Sequence, residues 1–200
     1  MAPHGSSTSQ SRTAERMGEP VARVINSVAM SLDGVIEPVS PEWFVAEGDH
    51  DVAAQQLLAE SEAMLLGRTT FEGLAGFWTT QTGPWADIIN PMTKYVASRS
   101  KLGDLEWNGR PIEGDAIEGV RRLKSEVDGD LLMSGCGELA RELIQAGLVD
   151  EVLVWIHPTV QGEGKRPYES ATLPMRLIEA KQFASGVTLL RYEPLTNADR

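Results

Sequence analysis

Residues 63–74 read AMLLGRTTFEGL. The apolar run Ala63-Met64-Leu65-Leu66 stops at Gly67 and is followed at once by Arg68, Thr69 and Thr70. A short buried strand that breaks at a glycine and passes directly into a helix start gives this order. Gly67 allows close approach of the backbone to a ligand. Thr69 or Thr70 is expected to cap the helix, and Glu72 lies three residues after Thr69, as a capping box requires. The free N–H groups and positive dipole end of such a helix favour an anion, and Arg68 adds a planar cationic fork suited to phosphate. The plainer alternative is a strand–helix corner that happens to carry a surface arginine.

The same pattern recurs twice further along the chain. Residues 94–99, KYVASR, form a short strand that ends in Ser98 and Arg99. If it lies beside the strand ending at Gly67, the two ends make a basic lip. Residues 130–134, DLLMS, form another short strand, which runs into Gly135-Cys136-Gly137 and then a helix over 138–146 carrying Leu139, Leu143 and Ile144. This is a second corner receptive to anions. GCGELA also satisfies the spacing G-x-G-x-x-A, but the next strand (152–156) ends in His157-Pro158 rather than the acidic residue a Rossmann unit needs. The glycine corner is therefore kept without the Rossmann label. Cys136 has no activating base in sight, so it is not read as a nucleophile. His157 has no second histidine or cysteine close in sequence, and no metal site is expected.

The remaining segments fill in an alternating pattern. Residues 21–36 read as the first, centrally placed strand, ending at the turn Ser31-Leu32-Asp33-Gly34. Trp43 and Phe44 fall in a proline-bearing loop (38–48), and 49–62 read as a helix with Asp49 or Asp51 at its start, where a carboxylate favours the dipole. Residues 112–114 are a candidate brief strand, 115–127 an amphipathic helix, and Gly162 and Lys165 belong to a glycine-bearing loop. Two last strands, 175–183 and 187–192, joined at Ser185-Gly186, close the chain as a hairpin. Residues 1–20 are expected to be a disordered leader, 21–195 one domain and 196–200 a polar tail.

Two hundred residues with 42% hydrophobic content support one sizeable core. A net charge of −11 argues against non-specific binding of nucleic acid, and makes locally clustered arginines more informative. One cysteine excludes an internal disulfide and a cysteine-based zinc site. No apolar run is long enough to span a membrane and there is no signal-peptide core, so a cytoplasmic protein is expected.

Taken in order, SLDG (31–34), LGRTTFE (66–72), SR (98–99), SGCGELARELIQAGLVDEV (134–152) and PTVQGEG (158–164) resemble the dihydrofolate reductase-like superfamily, in the branch related to the reductase domain of the riboflavin-biosynthesis protein. The resemblance covers about residues 21–194. It implies an α/β three-layer fold with a central, mainly parallel sheet, an antiparallel C-terminal edge and helices on both faces. It implies NADPH as cofactor, with Gly67, Arg68 and Thr69 at its phosphates, Ser98 and Arg99 on its adenosine side, and Gly135, Cys136, Gly137 and Glu138 near its pyrophosphate and nicotinamide. Asp33 is implied as the first candidate for polarising the substrate and Asp51 as the second, with Asp49 as the competitor of Asp51. Trp43, Gly162 and Lys165 are expected on the substrate side, and a homodimer is compatible with the family. The expected reaction is hydride transfer to a small heterocyclic C=N or C=O substrate, such as 5-amino-6-(5-phosphoribosylamino)uracil. The alternatives are dihydrofolate reduction and a non-catalytic protein that binds NADPH or another small ligand.

Overall fold

A computed structural model describes residues 21–195; the expected leader and the polar tail lie outside the described residues. Its elements are β1 (Val24–Ser31), α1 (Asp49–Glu60), β2 (Ala63–Gly67), α2 (Arg68–Trp78), α3 (Pro84–Ile89), β3 (Thr93–Ala97), β4 (Gly109–Pro111), α4 (Ala116–Glu126), β5 (Leu131–Ser134), α5 (Glu138–Gln145), β6 (Glu151–His157), β7 (Met175–Gln182) and β8 (Thr188–Pro194). They form one eight-stranded sheet in the order β4-β3-β2-β5-β1-β6-β8-β7. The six strands from β4 to β6 are parallel to their neighbours, and β8 and β7 pair antiparallel at the far edge. This is the expected mainly parallel sheet with an antiparallel C-terminal edge.

Burial on both faces explains the continuous apolar strands. Leu65 and Leu66, adjacent in β2, point to opposite faces and are both fully buried. One face carries Val24, Leu65, Leu131 and Met133 against Val120 and Leu123 of α4 and Ala140, Leu143 and Ile144 of α5. The other carries Ile25, Leu66, Val96 and Leu132 against Leu58 of α1, Phe71 of α2 and Ile89 of α3.

Several local expectations are corrected. The first strand begins at Val24 rather than 21 and ends at Ser31, at the expected turn, where Gly34 (φ 86°) folds Val35 back so that its carbonyl accepts from the Ser31 N–H. Neither Thr69 nor Thr70 caps α2: Gly67 is the N-cap and no side chain caps the helix. Glu72 instead pairs with Arg68, one turn earlier. Nor does an aspartate cap α1, which starts at Gly48 without a side-chain cap. Asp49 accepts hydrogen bonds from the N–H groups of Ala184 (2.7 Å) and Ser185 (3.1 Å), fastening α1 to the β7–β8 turn. Helix α3, at six residues, is too short to show a helical period in the sequence, and β4 lies at 109–111 rather than 112–114.

Lys94 is a further departure. It lies in β3 and is fully buried. Its ammonium donates to the carbonyls of Ile89 and Asn90, at the open C-terminal end of α3, and sits 4.0 Å from the Trp107 ring centroid. Burial pulls its pKa down to about 8. The apolar stem fills the core while the head closes the helix end.

Candidate active site

The strand order places the two glycine corners side by side. β2 and β5 are parallel neighbours. The helix leaving β2 packs on one face of the sheet and the helix leaving β5 on the other. The connections therefore part above these strand ends, and a crevice opens at such a switch point. The contacts agree. Gly135 has φ 98°, and a β-carbon there would lie 2.9 Å from Thr70 Oγ1 in the first turn of α2. A β-carbon on Gly67 would lie 3.8 Å from Leu139 Cδ2 in the first turn of α5. One on Gly137, the N-cap of α5, would meet nothing within 4 Å. Two helix starts thus converge, and the α5 start faces open space.

Charge gathers at the same rim. Arg68 is exposed; its Nη1 donates to Ser100 Oγ (3.0 Å) and its Nε to Glu72 (2.8 Å). Ser98 Oγ accepts from the Ser100 N–H at 3.2 Å. β3 adjoins β2, so Ser98 and Arg99 stand next to Gly67 and Arg68, as the basic lip requires. Arg99 reaches across to α5, pairing with Glu138 and lying 3.7 Å from Glu142. These carboxylates, Glu138 first, hold the Arg99 pKa above its ordinary value. Thr69 is exposed in the first turn of α2. The Cys136 thiol is buried against Val28 and Ile36, and burial pushes its pKa up to about 12, so this residue can offer a ligand its backbone but not a thiolate.

The substrate-side residues fall differently. Asp33 Oδ1 accepts from Ser31 Oγ (2.7 Å) and the Gln161 N–H (2.9 Å), and its Oδ2 accepts from the Gly162 N–H (2.8 Å). These donors, the Ser31 hydroxyl first, hold its pKa well below the usual carboxylate range. Through these bonds Asp33 ties the β1 turn to the 159–166 loop. The same seam continues through Leu32 N–H to Thr159 O, Ile36 N–H to Lys165 O and Lys165 N–H to Glu37 O. Lys165 lies 3.3 Å from the Glu37 carboxylate. Gly162 belongs to this seam through its N–H. Asp51 accepts from Trp85 Nε1 and Gln55 Nε2, both at 2.7 Å. Trp43 is 1% exposed and its indole donates to the Pro38 carbonyl, so it is core to its own loop and presents no surface to a substrate.

Two histidines fix that loop. The Val45 N–H donates to His157 Nδ1 and the Val45 carbonyl meets His50 Nε2, each at 3.0 Å. Phe44 stacks on His157 with centroids 4.6 Å apart. Burial, with a smaller contribution from His50, pulls the His157 pKa down to about 4. The folded protein then binds this proton less readily than the unfolded chain, so stability should fall with pH between about 6.5 and 4, by about 3 kcal/mol in all. Urea melts across that window should show the loss. His157→Asn keeps an acceptor for Val45 but cannot titrate, and should remove most of the slope; an unchanged slope would assign it to other groups.

Sequence patterns missed Asn26 and Tyr168, and pointed to Thr70 only as a helix cap. Asn26, fully buried in β1, donates through Nδ2 to the carbonyls of Met133 (3.1 Å) and Gly135 (2.9 Å) and accepts from Tyr168 Oη (2.6 Å). Its one visible signal was an amide inside the apolar run VINSVAM. A separate cleft of about 450 Å³ lies between α1 and the β7–β8 hairpin, lined by Arg23, Glu151 and Arg191, and includes neither glycine corner. Among the described residues no helix is long and apolar enough to cross a membrane, and no group of three metal-ligating side chains occurs.

Known proteins share this architecture. The structure is similar to a putative riboflavin biosynthesis protein from Shewanella sp. PV-4 (TM-score 0.62, 17% identity, 86% of this chain and 99% of that one). It is also similar to the Thermotoga maritima diaminohydroxyphosphoribosylaminopyrimidine deaminase/5-amino-6-(5-phosphoribosylamino)uracil reductase (TM-score 0.62, 15% identity, 88% of this chain and 57% of that one). These likenesses establish the dihydrofolate reductase-like fold. In sequence, the chain is 28% identical to the uncharacterized protein YyaP of Bacillus subtilis (strain 168), over 85% of this chain and 94% of that protein. The model of the RibD C-terminal domain matches residues 22–189, and the chain belongs to that family.

Proposed function

We propose that this protein is an NADPH-dependent reductase that transfers a hydride to a C=N or C=O bond of a small heterocycle, of the class of 5-amino-6-(5-phosphoribosylamino)uracil. The observation that carries the proposal is the meeting of the α2 and α5 starts across the β2/β5 crevice, with Gly135 against Thr70. The donor set fits a phosphorylated dinucleotide: two helix N-termini, two exposed arginines, and a glycine N-cap open to space. Gly67, Arg68 and Thr69 would hold phosphate, Ser98 and Arg99 the adenosine side, and Gly135, Cys136 and Gly137 the pyrophosphate through backbone. When bound, the nicotinamide supplies the hydride.

The protein's own part is to orient and to exclude water. The Asp33 seam sets the loop that carries Lys165, and Asp51 remains a substrate-side carboxylate, oriented by Trp85 and Gln55. Self-association as a homodimer is part of the same proposal.

Titration of the protein with NADPH and NADH, followed by a heterocycle screen for substrate-dependent loss of NADPH absorbance, tests the proposal. NADPH should bind more tightly than NADH. Arg99→Ala should reduce that preference about tenfold, the value of one charge-assisted contact. Equal affinity for the two cofactors, or no turnover with any heterocycle, would refute the reductase assignment.

A further inference from the structure

We propose that Asn26 and Tyr168 are positioning residues: they aim two backbone N–H groups, those of Cys136 and Gly137, so that the corner after β5 is a preformed anion nest. The argument needs only hydrogen bonds and the planarity of the peptide. β5 ends at Ser134, and the positive φ of Gly135 takes its carbonyl out of the strand ladder. That carbonyl is captured by Asn26 Nδ2 at 2.9 Å. The peptide joining Gly135 to Cys136 is trans, so its N–H points opposite to its carbonyl, away from Asn26. The next peptide repeats the device. The Cys136 carbonyl accepts from the Tyr168 N–H at 2.9 Å, which turns the Gly137 N–H away from the Tyr168 loop. Two successive N–H groups, at the start of α5 and beside α2, are thereby presented together.

The two positioning residues are themselves locked. Asn26 uses both amide hydrogens, on Met133 and Gly135, and its oxygen takes the Tyr168 hydroxyl at 2.6 Å. Tyr168 has φ 52°, a conformation a tyrosine rarely adopts, and it follows the loop that Asp33 fastens to β1. A buried network whose every member is satisfied holds one geometry.

This proposal rests on the cofactor assignment for the identity of the ligand, but not for the anion chemistry. The probe is therefore inorganic pyrophosphate as well as NADPH, added to the ¹⁵N-labelled full chain. Pyrophosphate should shift the amide signals of Cys136 and Gly137. Asn26→Leu, branched at the same carbon but apolar, should weaken binding of both probes at least about tenfold and reduce those shifts, since the loss of an aimed donor pair is involved. Val120→Ala, destabilised in the core at a distance, should keep wild-type affinity. Amide signals that stay in place, wild-type affinity in folded Asn26→Leu, or an equal loss in Val120→Ala would each overturn the proposal. If Asn26→Leu does not fold, Tyr168→Phe decides. It removes a single hydroxyl and should weaken binding about threefold; unchanged affinity overturns the proposal. A chain that binds pyrophosphate at these amides and does not bind NADPH keeps the nest and removes the cofactor assignment.

Discussion

Gly135→Val is expected to yield a folded protein whose affinity for NADPH falls at least about 100-fold, the scale on which a misplaced site contact is felt. Two separate constraints act at this position. The backbone φ of 98° is one that a β-branched residue scarcely adopts. A β-carbon would also lie 2.9 Å from Thr70 Oγ1. Strain of this kind costs about 1–3 kcal/mol if the backbone is held, so the local chain is expected to turn instead. Turning it draws the Gly135 carbonyl off Asn26 and redirects the following N–H. The core is untouched, because Leu131, Leu132 and Met133 precede the turn, so the melting transition should remain cooperative. Adding Thr70→Ala relieves the contact but not the φ, and should restore a small part of the affinity. Binding by isothermal calorimetry, with circular dichroism as the folding control, reads both. Near-wild-type NADPH affinity in folded Gly135→Val would break the convergence on which the site depends.

Asp33→Asn is expected to lower both the melting temperature and the turnover, the latter about 10- to 100-fold, as when a positioning element shifts by about 1 Å. The carboxylate accepts from two backbone N–H groups on separate oxygens. An amide offers one oxygen; its NH₂ then faces an N–H donor, and one half of the clamp opens. The 159–166 loop loses its hold on the β1 turn, taking Lys165 with it. The pH dependence has a definite sign. The folded-state pKa is depressed, so the stability Asp33 contributes is present above the ordinary carboxylate range and is lost as pH falls through and below it. Asp33→Asn should remove that acid limb, which lies below the His157 window. A proton-donating Asp33 predicts another result: turnover falls, the melting temperature does not, and the acid side of the pH–rate profile shifts. Loop mobility by hydrogen exchange at Gln161 and Gly162 separates the two.

The corners themselves were legible. AMLLGRTTFE and LLMSGCGELA announce strand, glycine and helix in sequence, because burial on both faces makes a strand continuously apolar and a glycine must interrupt it where the chain turns. The arginines could be singled out for a related reason: in a chain of net charge −11, a cation following a strand end is uncommon enough to notice. Roles were less legible than positions. Trp43 in a proline-bearing loop looks like a ligand cover, yet it is 1% exposed and fills its own loop. Asp33 at a turn looks available, yet its partners at 161 and 162 lie 128 and 129 residues away along the chain.

The sequence alone carries most of the elements, their order and the chemical character of each strand end, since these follow from periodicity, glycine placement and charge within a few residues; the six-residue α3 and the place of β4 are the exceptions. The insertion of β5 between β2 and β1, with α2 and α5 leaving on opposite faces, belongs to the folded chain alone. That choice brings Thr70 against Gly135 and puts Asn26 beneath the glycine corner. Strand order is set by which whole surfaces pack best against one another, a comparison among distant segments that no local pattern records.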